Sequence, residues 1–113
     1  MLGTTVLASG PAGPHHRTIR THAVPWTSAK PYAHGRKLRV TWWSGVAPCS
    51  VFDHITVKQT ARRVVVTVYE GAAPSSPNTV CLAIAVKKTR TVKLRTPLGS
   101  RKVVDGAPRP RSH

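Results

Sequence analysis

From Lys37 onward the chain alternates between apolar and polar positions. "KLRVTWW" sets Leu38, Val40 and Trp42 against Lys37, Arg39 and Thr41. "VFDHITVKQ" places Val51, Ile55 and Val57 on one side, with Asp53 among them, and Phe52, His54, Thr56 and Lys58 on the other. In "RVVVTVYEG" the stripe is Val64, Val66 and Val68, and in "CLAIAVK" it is Leu82, Ile84 and Val86. "RTVKLRT" contributes Val92 and Leu94, and "RKVVDG" is a short last run. A period of two in stretches rich in β-branched residues predicts strands buried on one face. A further strand is expected near Val24–Tyr32. "HGRK" at 34–37, "QTAR" at 59–62, "EGAAPSSPNT" at 70–79 and "TPLGS" at 96–100 supply the turns between these runs. No stretch of helical length combines a helical period with caps. The pattern predicts an all-β fold, a small β-sandwich (immunoglobulin-like or similar) of six to seven short strands.

The ends lack this pattern. Residues 11–22, "PAGPHHRTIRTH", have two prolines and little to bury, and "APRPRSH" at the other end is similar. The expected organisation is a disordered arm or signal remnant over 1–22, a β-sandwich domain over 23–107 and a disordered basic tail over 108–113. "MLGTTVLASG" is mildly apolar and ends in small residues, which fits either the tail of a secretory signal or a disordered start. No apolar run approaches the length of a transmembrane segment.

Composition sharpens the picture in two ways. Aromatic residues number three Trp, two Tyr and one Phe, so the core of this 113-residue chain is small and needs reinforcement. Eighteen Lys and Arg face three acids, a formal charge of +15. Such a charge opposes compactness and draws the chain toward anionic surfaces. The basic residues crowd into the second half, where Lys87, Lys88, Arg90, Lys93, Arg95, Arg101 and Lys102 are the candidate polyanion-binding set. On the run ending at Arg95, alternation sends Val92 and Leu94 inward and leaves Thr91, Lys93 and Arg95 outward, with Arg101 and Lys102 expected in a neighbouring segment. The partners implied are anionic polymers or cell-envelope components, held weakly and without sequence preference. Nucleic acid bound through the same basic half is the alternative, although no DNA- or RNA-reading motif is present.

The stretch "TWWSGVAPCSVFDH" gathers two tryptophans and one of the two cysteines. Ser44-Gly45 ends a strand and Pro48 stiffens the approach to Cys49. Alternation sends Trp42 and Trp43 to opposite faces, one onto the core and one partly exposed. Two readings of Cys49 and Cys81 compete. As a disulfide they close a loop of about 32 residues and stabilise the fold by about 3–4 kcal/mol on the chain-entropy model. As a nucleophile, Cys49 needs a base; His54 is near in sequence but has no evident support, so the disulfide is favoured. The absence of a CxxC pair argues against zinc.

Catalytic chemistry finds few residues. Asp53, Glu70 and Asp105 are the only acids. Glu70 and Asp105 each precede glycine and are expected to close turns, and Asp53 is expected to pair with an arginine. No catalytic triad, phosphate loop or dinucleotide motif is present. The histidines lack carboxylate and thiolate partners, so no metal or other cofactor is expected.

The segments "PWTSA", "WWSGVAPC", "VVVTVYEG", "CLAIAVKKTRTVKL" and "PLGSRKVVDG", spanning about 24–106, resemble a family of small extracytoplasmic domains, secreted or lipoprotein-type, of high-GC Gram-positive bacteria. The resemblance implies that Cys49 and Cys81 are the paired cysteines, that the domain is exported, and that the natural polypeptide starts upstream of Met1. The family has no established activity, so no functional residue is carried over. The chain departs from the family in charge, with Lys87, Lys93, Arg95 and Lys102 where its members are acidic, so no shared ligand is carried over either.

Overall fold

The structure, a computed structural model, describes residues 18–75 and 78–108. Its strands are β1 (Ile19–Val24), β2 (Ser28–Tyr32), β3 (Lys37–Ser44), β4 (Val51–Gln59), β5 (Arg63–Ala72), β6 (Val86–Lys93) and β7 (Lys102–Asp105). They form two sheets. In one, β5 is central, with antiparallel β4 along one side. Its other side is shared end to end by antiparallel β1 and parallel β7. The second sheet is antiparallel, in the order β2-β3-β6. Over the described residues the fold is therefore an all-β sandwich of seven strands. Among the described residues there is no helix, hence none long and apolar enough to cross a membrane.

The two alternating stripes meet between the layers. Leu38, Val40 and Trp42 of β3 and Val64, Val66 and Val68 of β5 are fully buried, and Leu94 and Leu98 close the cluster. Burial of this order contributes roughly 1.5–3 kcal/mol per large apolar side chain. Trp26, on the crossing from β1 to β2, donates its indole N–H to the Val66 carbonyl at 2.9 Å. The backbone N–H of the same residue is held by the Asp105 carboxylate at 2.9 Å. One hairpin turn lies where the pattern places it: Thr60 N–H bonds the Arg63 carbonyl at 2.9 Å between β4 and β5.

Four expectations change. The domain starts before residue 23, because β1 begins at Ile19 and pairs with β5 from Val68 to Ala72. That strand is held by backbone pairing while most of its side chains stay exposed, so it has no apolar stripe to betray it. What was expected of residues 1–17 and 109–113 lies outside the described residues. The run 81–85 is not a strand. Residue pairing between β3 and β6 ends at Ser44 with Val86, and Gly45 ends β3, so earlier residues have no neighbour to pair with. Leu82 and Ile84 are accordingly 60% and 51% exposed, with Val80 at 74%. On β4, Phe52 belongs to the core side. The pairing shifts between Phe52 and His54, opposite Glu70 and Tyr69 respectively, so Asp53 is the extra residue of a β-bulge that resets the alternation. Glu70, expected in a turn, lies inside β5 and is 5% exposed.

The cysteines are bonded to each other: Cys49 and Cys81 form a disulfide with Cα atoms 5.7 Å apart. It ties the loop after β3 to the loop after β5.

The chain past β7 leaves no room beside β5. A Cβ on Gly106 would sit 2.0 Å from Thr67 Oγ1 and 3.0 Å from Val65 Cγ1. Gly106→Ala is expected to destabilise the domain by about 1–3 kcal/mol, the usual cost of overpacking. Urea denaturation checks it; a variant as stable as the parent would show that this crossing can shift freely.

Candidate polyanion-binding face

Directly paired residues of antiparallel strands project to the same face, with Cβ atoms about 4.5–5.5 Å apart. On the β2-β3-β6 sheet this rule assembles the outward side chains in rows. Tyr32, Lys37 and Lys93 form one row; Lys30, Arg39 and Thr91 form the next. Ser28, Thr41 and Thr89 follow, and Trp43 with Lys87 completes the face. From the first row to the last is about 20 Å, at about 3.4 Å per residue.

Local contacts hold these side chains in place. The Arg39 guanidinium lies over the Tyr32 ring, 4.7 Å from its centroid. Tyr32 Oη donates to Thr91 Oγ1 at 3.1 Å, reaching across β3. Thr41 and Thr89 hydroxyls meet at 3.4 Å. Trp43 has no such cover and is 57% exposed, whereas Trp42 is fully buried; the two point to opposite faces as the alternation predicts, and of the two candidates for an exposed aromatic only Trp43 is one. A shallow depression of about 350 Å³ runs between Trp43 and Lys87 on one side and Lys30 and Arg39 on the other, over Ser28 and Thr41.

Electrostatically the two layers differ. Asp53, Glu70 and Asp105, the only acids of the chain, lie on β4, β5 and β7, all in the sheet behind the core. The strands β2, β3 and β6 contain none, so Lys30, Lys37, Arg39, Lys87 and Lys93 share one face with no carboxylate among them.

No protein family, curated protein or solved structure matches this chain.

The residues singled out from sequence are divided by the fold. Lys87 and Lys93 lie on this face. Lys88 and Arg90 sit at alternate positions and turn inward. Lys88 Nζ lies 3.1 Å from a Glu70 carboxylate oxygen, and the Arg90 guanidinium covers the Phe52 ring at 4.5 Å. Charged side chains turned inward on an edge strand guard that edge against pairing with another chain. Arg95 lies beyond β6, in a cleft between the β4 and β6 edges that Lys58 and Lys93 also line; its N–H bonds Gln59 Oε1 at 2.6 Å. Arg101 spends its guanidinium on carbonyls, donating to Leu98 and Thr60 at 3.1 Å and to Pro97 at 2.8 Å. Lys102 is on β7 in the other sheet, paired with Arg63. Arg101 and Lys102 are therefore not neighbours of β6 in a sheet, and the basic second half is not one surface.

Lys30, Tyr32, Lys37 and Arg39 were missed. Their signal was the same alternation that marked Leu38, Val40 and Trp42, read for the opposite face. What it lacked was the pairing of β3 with β6, which joins positions far apart in the chain.

The remaining acids are placed as follows. Asp53 accepts a hydrogen bond from Thr18 Oγ1 at 2.6 Å and contacts His54 Nδ1, whose ring stacks on Tyr69 at 4.5 Å. Asp105 closes a turn as expected, accepting the Ala107 N–H at 3.0 Å, and also anchors Trp26.

Proposed function

We propose that this domain is a non-enzymatic, extracytoplasmic binding module whose outer β2-β3-β6 face takes polyanions. The observation that carries the reading is the segregation of charge: every acid of the chain lies on the opposite sheet. The bonded cysteines support export, since disulfides persist in oxidising compartments. Binding is by counterion release from a run of phosphate, sulfate or carboxylate groups, and is weak and indifferent to sequence.

The test compares two charge reversals of equal size. Lys37→Glu with Lys93→Glu alters a directly paired couple on the outer face; Arg63→Glu with Lys102→Glu alters a paired couple on the other sheet. Binding of heparin and of an oligonucleotide is followed by fluorescence anisotropy across a salt series. For a single-stranded polyanion, the slope of log affinity against log salt should reach up to about −3.5 if all five face cations meet a charge. The face variant should lose about tenfold or more in affinity and flatten that slope, while the control loses far less. Equal losses in the two variants would mean that net charge alone attracts the polymer and that this face is not the site.

A further inference from the structure

We infer that the polyanion bound by this face is single-stranded nucleic acid, one base stacked on Trp43 and the phosphates crossing the Lys and Arg rows; this rests on the polyanion reading above. Three observations select that ligand class.

The first is the hydrogen-bonding character of the face. Its outward side chains are ammonium, guanidinium, hydroxyl and aromatic groups, with no carboxylate or carboxamide among them. Such a surface offers many donors and few acceptors. Neutral glycans, which present numerous hydroxyl donors, are poorly matched to it, and phosphodiester oxygens are well matched. The absence of Asn, Gln, Asp and Glu leaves no carboxamide to read adenine and no carboxylate to read cytosine, and the lysines and arginine of the rows are committed to phosphates, so little sequence preference is expected.

The second is Trp43. A phosphate-only polymer has no use for a large apolar ring, yet Trp43 stands 57% exposed directly opposite Lys87. It walls the depression whose far side is Lys30 and Arg39. A ligand whose repeating unit joins a flat ring to a phosphate satisfies both residues at once. Base–aromatic stacking adds to the charge term and tolerates any base, because every base has a π-face.

The third is access. In a duplex the base faces are already stacked on each other, and a side chain rising from a flat sheet cannot reach them without unstacking. A single strand presents its bases freely. About 20 Å of sheet accommodates roughly four nucleotides, the low end of site sizes for small β-domains.

The experiment measures anisotropy of three labelled polymers at low salt: a thymidine 12-mer, an abasic 12-mer with the same phosphates, and heparin. The thymidine strand should bind about tenfold more tightly than the abasic one, within the range measured for stacking. Trp43→Ala should remove that difference and leave abasic and heparin binding unchanged, while Trp43→Phe retains most of it. Trp43 is exposed, so these variants keep the core. Abasic and thymidine strands bound equally by the parent would overturn the inference and leave the polyanion reading standing. Heparin outcompeting thymidine at matched charge would do the same and move the ligand to a sulfated glycan. Binding of none of the three would end both readings.

Discussion

Glu70→Leu is expected to cost about 3–5 kcal/mol, as breaking a buried ionic network does. Glu70 is 5% exposed and belongs to the central strand of one sheet. Among the described residues, every side-chain donor it receives comes from the other sheet. The indole N–H of fully buried Trp42 reaches it at 3.1 Å, Ser44 Oγ at 2.7 Å and Lys88 Nζ at 3.1 Å. Leucine restores volume but leaves the Trp42 N–H with no acceptor inside a dry interior, and an orphaned buried donor costs about 1–3 kcal/mol by itself. Lys88 is partly exposed and can swing toward water, so its charge is the smaller part of the loss. Glu70→Gln keeps one carbonyl acceptor and should cost markedly less. The ranking Leu worse than Gln, read from guanidinium denaturation, is the diagnostic result. A Leu variant within 1 kcal/mol of the parent would sink the idea that this carboxylate joins the layers.

Cleaving Cys49–Cys81 should produce a loss of similar size. The bridge closes a 32-residue separation, worth about 3–4 kcal/mol in chain entropy. Small domains have about 5–15 kcal/mol in total, and this one also carries a formal charge of +15 that repels itself. Cys49→Ser with Cys81→Ser, or reduction of the parent, should lower the melting temperature by on the order of 20 °C. Added salt should recover part of that loss by screening the repulsion. A reduced protein melting within a few degrees of the oxidised one would mean that the core and the Glu70 network suffice.

Much of this architecture was legible because alternation reports on faces within a strand. It sent Trp42 and Trp43 to opposite faces, Val92 and Leu94 to the core side, and the β4–β5 turn to the right residues; which tryptophan faces out came from the structure. It failed where geometry departs from strict pleating or depends on distant pairing. The bulge at Asp53 reversed the phase and hid Phe52. Leu82 and Ile84 mimic a buried strand, but β3 ends too soon to pair with them. β1 is held by its backbone and shows no stripe. Glu70 looked like a turn residue because Gly71 follows it; only the layer opposite reveals its donors. The face itself was half visible: Lys87 and Lys93 were identified, whereas Lys30 and Arg39 joined them only through the β2-β3-β6 order.

That same topology fixes how the domain can be tethered. β1 enters and β7 leaves along one edge of β5, in the sheet that turns its back on Trp43 and the cationic rows. A linker, a resin or a neighbouring domain joined directly before Ile19 or after Asp105 would therefore attach to the rear layer, opposite the forward one. Many copies anchored in this way would present a carpet of parallel cationic plates, and a long polymer spanning several of them would be held far more tightly than any one plate could hold it.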